Sequence, residues 1–519
     1  MPHKQNSEVQ HLLKTNGMGK GTFQITFANA IQYLVAGLFY IVVTKTNALS
    51  PADLGVLSVL SFIASTLILS TLALPTALTK FVSEHLGRNE SQKATSVQRT
   101  VTRTVTLLSL GGLIVVTILS SSLSQYFWGT DESFQLIILI SISGFFTNLI
   151  VLYKSALQAL RLFGKMALVT ITFILSSRII AVILALQDFG ILGVVLGYII
   201  GSFMGLILVI TFTRGKFPNP ENKTPIKPLL QFSLPLFLSS LALLVLSQAD
   251  IVILASVTND YALVGIYSIA VRSLLVLSVI WQPIMATTLP IVSARFGLQN
   301  QKGVGNVVRM MSRYLSYTII PSCVMLAVVA PTALNVFYGS DYVPGATALS
   351  ILSISVIVSA LFTLVTTTLT AIGKTKQVLQ INLVSAILTV VLLLSLVSLF
   401  DIIGAAITRL VVQVISLILA AYILKRYVSV QLDREALWKS SLASAITIPF
   451  LFVLESKMIK GFSAVQVFAV EILVAGFIYV GSLYVLKALN DQDFDLIRQS
   501  FPKSFSKIID TLQSVMSRK

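Results

Sequence analysis

About fourteen membrane-spanning α-helices, built as two parallel repeats of six with a further pair appended, are what this chain encodes. Three observations lead there. Long apolar runs succeed one another almost without pause, and each exceeds the ~18 residues that cross roughly 30 Å of hydrocarbon as a helix. Charged residues make up only 11% of the 519 positions while 55% are hydrophobic, against about 25% charged in soluble domains. Short motifs also recur in order at a nearly constant spacing.

The runs fall near residues 22–44, 54–74, 101–123, 134–153, 166–187, 191–212, 229–255, 262–288, 314–336, 346–369, 378–400, 402–424, 437–455 and 463–486. Leu74-Pro-Thr-Ala-Leu-Thr-Lys-Phe81 is echoed by Leu289-Pro-Ile-Val-Ser-Ala-Arg-Phe296, an offset of 215, and Gly55-Val-Leu-Ser58 by Gly265-Ile-Tyr-Ser268, an offset of 210. Leu157-Gln-Ala-Leu160 returns as Leu369-Thr-Ala-Ile372 (offset 212), and Gly193 as Gly404 (offset 211). Six spans per repeat is an even number, so both repeats have one orientation. Such repeats are related by an axis along the membrane normal and are expected to form a substrate site at their interface near the midplane. The expected organisation is an N-terminal cytoplasmic segment (1–21), a six-helix lobe (22–212), a cytoplasmic linker (213–228) and a second six-helix lobe (229–424). Two appended helices (437–486) and a cytoplasmic tail (487–519) follow. In that tail Phe494, Ile497, Phe501, Phe505, Ile508, Leu512 and Val515 recur every three or four residues. This spacing describes an amphipathic helix lying on the membrane surface or packed against cytoplasmic loops.

Charge distribution sets the orientation. With the N-terminus in the cytoplasm, 31 of the 37 Lys and Arg residues face inward and only Lys45, Lys457 and Lys460 face outward. Both termini are therefore assigned to the cytoplasm of a cell-membrane protein. The first twenty residues lack an apolar core, so the first spanning helix, not a cleaved signal, targets the chain. The net charge of +17 is a topology signal, and nucleic acid is not an expected partner.

Five charges remain inside spans: Arg178, Asp250, Arg272, Arg409 and Glu471. A charge at the bilayer centre costs about 2.5–3.5 kcal/mol on insertion scales, so each needs a partner or a task. Arg178 lies about 18 Å up the fifth span at 1.5 Å per residue, too deep to snorkel, with Thr170, Ser177, Ala181 and Ala185 around it. It is either held in an interhelical contact or presented to an anionic substrate. Asp250 and Arg272 lie on neighbouring spans and can form an ion pair. Alternatively Asp250 acts as a protonatable or cation-coupled switch and frees Arg272 for substrate. Arg409 is close enough to the outer face to snorkel, and Glu471 can reach toward Lys457 or Lys460. Asn29 and Gln32 share one face of the first span, and Gln248 lies on the seventh. Their amides can bind sugar hydroxyls or join helices to each other.

Enzyme signatures are missing. Gly17-Met-Gly-Lys-Gly-Thr22 fails the phosphate-loop pattern because Gly21 follows Lys20 and no strand precedes it. The single cysteine, Cys323, and the three histidines offer no metal-ligand spacing. No cofactor and no catalytic residue are expected.

The segments "LSPADLGVLSVLSF" and "LALPTALTKFVSEHLGR" (within 49–88) and "SLPLFLSSLALLVLSQADIVILAS" (233–256) resemble polysaccharide biosynthesis flippases of the O-antigen (Wzx) type. So do "VGIYSIAVR" (264–272), "TLPIVSARF" (288–296), "VFYGSDYVPGA" (336–346), "TLTAIGKTKQ" (368–377) and "IIGAAITRLV" (402–411), in that order. The resemblance implies the fold of the multidrug/oligosaccharidyl-lipid/polysaccharide (MATE-like) exporter superfamily, two six-helix bundles forming a V-shaped central cavity with two extra helices behind. It also implies translocation of polyprenyl-(pyro)phosphate-linked oligosaccharide from the cytoplasmic to the outer leaflet. Asp250 and Arg272 match positions where that family carries an acid and a base, whereas Arg178 matches none of its motifs. On this expectation Arg178 and Arg272 hold the phosphate, and Asn29, Gln32 and Gln248 line the sugar path. Asp250 couples to H⁺ or Na⁺, and glycosyltransferases or a polymerase of the same pathway are candidate partners. The alternatives are a multidrug or cation antiporter of the same superfamily and a membrane glycan polymerase or ligase. Midplane arginines disfavour the first and the short outward loops disfavour the second.

Overall fold

In hydrocarbon every backbone N–H and C=O must be satisfied within its own segment, and consecutive apolar runs therefore fold as helices. The structure, a computed structural model, describes residues 18–130, 133–217, 224–428, 432–458 and 463–488. The expected amphipathic tail and the side chains of Lys457 and Lys460 lie outside what is described. In chain order the helices are α1 (Met18–Lys45), α2 (Pro51–Thr66), α3 (Leu74–Gly87), α4 (Ser91–Trp128), α5 (Phe134–Ala159), α6 (Phe163–Leu184), α7 (Gly190–Thr213) and α8 (Lys227–Thr258). Then come α9 (Tyr261–Ser273), α10 (Leu275–Gly297), α11 (Gln301–Val328), α12 (Ala330–Phe337), α13 (Ala346–Ala371), α14 (Thr375–Lys425), α15 (Arg434–Met458) and α16 (Ala464–Val485).

Among the described residues eleven helices are long and apolar enough to cross a membrane, or up to twelve if the bent α11–α12 pair (76°) is one span. That is fewer than the fourteen or so expected, and part of the difference has a physical reason. Two of the eleven, Phe163–Thr213 and Thr375–Lys425, are 51 residues long, which as straight helix would measure about 76 Å. Each is broken near its middle by an aspartate with positive φ, Asp188 (φ 63°) and Asp401 (φ 47°). The first break turns the chain back on itself. Gly197 abuts Ala181 and Gly201 abuts Ser177, a pairing in which one number rises as the other falls, so α6 and α7 run antiparallel.

The chain groups into two compact units, residues 1–272 with 382–405, and residues 273–381 with 406–519. In the first unit, Leu74, Leu78 and Val82 of α3 interlock with Val97, Val101 and Val105 of α4 and with Leu152 and Ala156 of α5. Between α2 and α3 the chain passes through a 3₁₀ turn (Leu67–Thr71) and then Leu72 and Ala73, both left-handed (φ 49° and 54°). The buried Asn148 of α5 donates from Nδ2 to the Leu67 carbonyl at 2.9 Å, satisfying one backbone group that the break releases. In the turn joining α3 and α4, Lys93 and then His85 hold the Glu90 carboxyl below the usual carboxylate range.

In the second unit, Val304, Val308, Leu315 and Ile319 of α11 pack with Leu364 and Leu369 of α13 and Leu424 of α14. The appended α15 is anchored by Asp433, whose Oδ1 accepts from the Ala436 N–H at 3.0 Å. Its Oδ2 lies 3.5 Å from Arg309 and 3.6 Å from Arg313, and its own N–H donates to Ser312 Oγ. Glu471, on α16, is 1% exposed and accepts from the Thr332 hydroxyl at 3.5 Å.

The sequence repeat has a structural counterpart inside each unit. Ser83 Oγ donates to the Ala159 carbonyl at 3.4 Å in the first, and Ser293 Oγ to the Ala371 carbonyl at 3.3 Å in the second. Another repeated pair, Gly55 and Gly265, meets face to face. A Cβ on Gly55 would sit 1.9 Å from the Tyr261 carbonyl oxygen, and one on Gly265 would sit 1.8 Å from that of Pro51. Both obstacles are backbone, which cannot rotate away. Gly265→Val is therefore expected to destabilise by about 1–3 kcal/mol or more, as overpacking does, seen as a lowered Tm of the purified chain. Gly37→Ala, with nothing within 4 Å of the added methyl, is the matched control and leaves Tm unchanged.

Candidate functional site

Small residues determine where Arg178 can go. Ala181 and Ser177 of α6 meet Gly197 and Gly201 of α7, so the two backbones approach closely. Arg178, next to Ser177, and Tyr198, next to Gly197, then emerge at one level. The Arg178 guanidinium stacks 4.2 Å from the Tyr198 ring centre and 4.8 Å from that of Phe39 on α1. The next residue of α1, Tyr40, lies under the other cation, with the Arg272 guanidinium 4.2 Å from its ring centre. Phe39 and Tyr40 are edge to face at 4.9 Å, and Phe39 and Tyr198 lie at 6.2 Å. Three rings in contact thus carry two guanidinium groups.

The hydrogen bonding around these cations is incomplete. Arg272 Nη2 donates to Ser58 Oγ at 3.2 Å, and that hydroxyl in turn donates to the Leu54 carbonyl at 2.7 Å. Arg178 Nε and Nη1, Arg272 Nε and the Tyr198 hydroxyl are buried without a hydrogen-bond partner among the described residues. Neither arginine forms a salt bridge among the described residues. Stacking on an aromatic face contributes about 0.5–2 kcal/mol for a cation, and this replaces the carboxylate that a buried arginine would ordinarily meet.

The ion pair weighed for Asp250 and Arg272 is not formed. Asp250 is 5% exposed, and its Oδ2 accepts from the hydroxyl of the fully buried Tyr267 at 2.8 Å while Oδ1 accepts from the Ile251 N–H at 3.0 Å. Arg272, five residues beyond Tyr267 on α9, goes to Ser58 and Tyr40 instead. Of the residues singled out in the sequence, the structure brings Arg178, Arg272 and Ser58 together. Asn29 is exposed and Gln32 half-buried on the N-terminal half of α1, seven or more residues from the ring cluster. Gln248 is half-buried on α8, two residues from Asp250.

Phe39, Tyr40 and Tyr198 were not singled out in the sequence, where aromatic residues in apolar spans carry no mark. Lys154 was passed over as well. It lies near the C-terminal end of α5 and donates to Thr170 Oγ1 at 2.6 Å.

Residues 47–347 match the model of a family described as "Polysaccharide biosynthesis protein". An uncharacterized membrane protein of Methanocaldococcus jannaschii is 22% identical over 428 residues, covering 78% of this chain and 98% of that protein. Among solved structures, a lipid II flippase, MurJ, in an inward closed conformation aligns with a TM-score of 0.73 at 16% identity, over 91% of this chain and 99% of that one. A multidrug resistance MATE family transporter of the MOP superfamily, inward-facing, aligns with a TM-score of 0.61 at 15% identity, over 76% of this chain and 95% of that one. At these identities the likeness is one of fold.

If the Arg178 charge serves a ligand and not the fold, its removal relieves the protein of a burial cost. Arg178→Met is expected to leave the Tm of the purified chain unchanged or raised, because two stacking contacts of about 0.5–2 kcal/mol each roughly offset the ~2.5–3.5 kcal/mol cost of the charge. A fall of many degrees would mean that the stack is structural.

Proposed function

Because the chain belongs to the polysaccharide biosynthesis protein family, we propose that it is a non-enzymatic flippase. It moves polyprenyl-(pyro)phosphate-linked oligosaccharide from the cytoplasmic to the outer leaflet of the cell membrane, with both termini in the cytoplasm. The observation that carries this reading is the pair of unneutralised guanidinium groups on the Phe39–Tyr40–Tyr198 rings. Buried N–H donors without partners suit a phosphate oxygen, which accepts short, charge-assisted hydrogen bonds from arginine. A cationic drug would require acidic groups at this depth, so the cluster favours an anionic cargo over an antiporter's substrate.

In this mechanism Arg178 and Arg272 take the phosphate head while the polyprenyl tail stays in lipid. Because the rings stabilise the cations without neutralising them, the full charge remains available to the phosphate. Asn29, Gln32 and Gln248 present amides to the sugars. Moving one negative charge outward through an inside-negative potential of 100 mV releases about 2.3 kcal/mol, which biases the cycle without a nucleotide. Asp250 is the coupling residue. Its carboxylate already accepts one hydrogen bond from Tyr267, and taking up H⁺ or Na⁺ would compete with that bond.

Proteoliposomes loaded with a fluorescent polyprenyl-diphosphate glycan test the reading. Arg178→Ala and Arg272→Ala are each expected to slow transfer about tenfold or more, the scale of one lost charged hydrogen bond. Asp250→Asn is expected to abolish the dependence of the rate on an imposed H⁺ or Na⁺ gradient while leaving phosphate binding intact. Unchanged rates in both arginine variants would refute the phosphate site.

A further inference from the structure

Lys154 departs from what its position in the sequence dictates. It stands five residues before the end of α5, about 7 Å from the inner rim at 1.5 Å per residue. A lysine there ordinarily turns its ammonium out to the aqueous interface. This one is turned sideways, with Nζ donating at 2.6 Å to Oγ1 of Thr170. Thr170 is buried (7% exposed) and lies seven residues into α6, about 10 Å above that helix's inner end. The threonine hydroxyl donates to the Met166 carbonyl at 3.0 Å, which leaves its lone pairs to accept from the ammonium. Among the described residues no carboxylate pairs with Lys154, and Thr170 is the one hydrogen-bond acceptor for its three N–H donors.

The level of this ammonium follows from two contacts between α1 and α6. Gly164 abuts the Gln24 amide, and Arg178 stacks on Phe39. The partners differ in number by 140 at one contact and 139 at the other, so the helices lie side by side, parallel and in constant register. Thr170 is therefore level with Ala30 and Ile31, between Asn29 and Gln32. An unneutralised cation and two amides thus share one depth, about 12 Å on the cytoplasmic side of Arg178.

We propose that Lys154, held by Thr170, is a receiving station for lipid-borne phosphate, occupied before the head advances to Arg178 and Arg272. This rests on the flippase reading and adds an order of events to it. The two phosphorus atoms of a diphosphate are too close together to span the ~12 Å between the levels, so the stations are filled in sequence and not at once. Asn29 and Gln32 are then placed for the first sugar while the phosphate is at Lys154.

The test uses the full chain in neutral phosphatidylcholine nanodiscs and measures binding of radiolabelled farnesyl diphosphate. Farnesol is the uncharged control and phosphatidylglycerol the phospholipid competitor. Lys154→Gln is expected to weaken binding about tenfold, and Lys154→Arg to stay within about threefold of the native chain. The double variant Arg178→Ala/Arg272→Ala is expected to keep a weaker binding that Lys154→Gln then removes. Should Lys154→Gln fail to fold, Thr170→Val keeps the charge but releases it to the rim, and is expected to weaken binding about threefold with Tm retained. Native affinity in Lys154→Gln, alone and in the double-arginine background, would overturn the station while leaving the arginine site standing. Loss in Lys154→Gln with no effect of the arginine changes would instead overturn the arginine site and keep the station. Equal competition by phosphatidylglycerol would overturn the assignment to a polyprenyl carrier.

Discussion

A permanent positive charge that no carboxylate among the described residues neutralises is the condition around which the N-terminal helices are built. Arginine cannot shed its proton at any accessible pH, so the surrounding chain must make the charge tolerable where it stands. Aromatic faces do this from two sides of Arg178, and a third ring with a serine hydroxyl does it for Arg272. Those rings can close on the guanidinium only because α6 and α7 meet through Ala181, Ser177, Gly197 and Gly201. Larger residues there would move Tyr198 away from the cation. The composition of one helix pair and the electrostatics of the cluster are therefore a single constraint.

How much of this could be read from the sequence varies with the kind of signal. Hydropathy locates nearly every helix because the bilayer leaves the backbone no alternative. It misses the interruption at Leu72 and Ala73, since neither residue is a usual occupant of left-handed backbone. Asn148, which supports that interruption, lies about eighty positions away. Arg178 stands out because a charge inside an apolar run is conspicuous. Phe39, Tyr40 and Tyr198 are invisible beside it, because only the register of α1 against α6 shows which aromatic residues face the cation. Lys154 escaped for the opposite reason. A lysine near the end of a span has an ordinary explanation, and only the direction of its side chain removes it.

Duplication preserved the frame and not the charge. The serine-to-carbonyl bonds of Ser83 and Ser293 show common geometry within each unit. At the repeat offsets of 211 and 212, however, the positions matching Arg178 and Lys154 are Thr389 and Thr366. Both threonines return their hydroxyls to their own helix, to the Ser385 and Phe362 carbonyls. At these two matching positions the second repeat is neutral, and the cation it contributes, Arg272 of α9, comes from a different place in the repeat.

The meeting of Gly55 with Gly265 carries a mechanical implication. Where side chains interdigitate, parting two helices means withdrawing every knob from its hole, and lipid offers no hydrophobic penalty that would draw them together again. At this crossing the adjoining surfaces are bare peptide, joined by short-range attraction of C–H groups for carbonyl oxygens. Such a seam is tight while shut and leaves no side chains to disentangle if the two helices part.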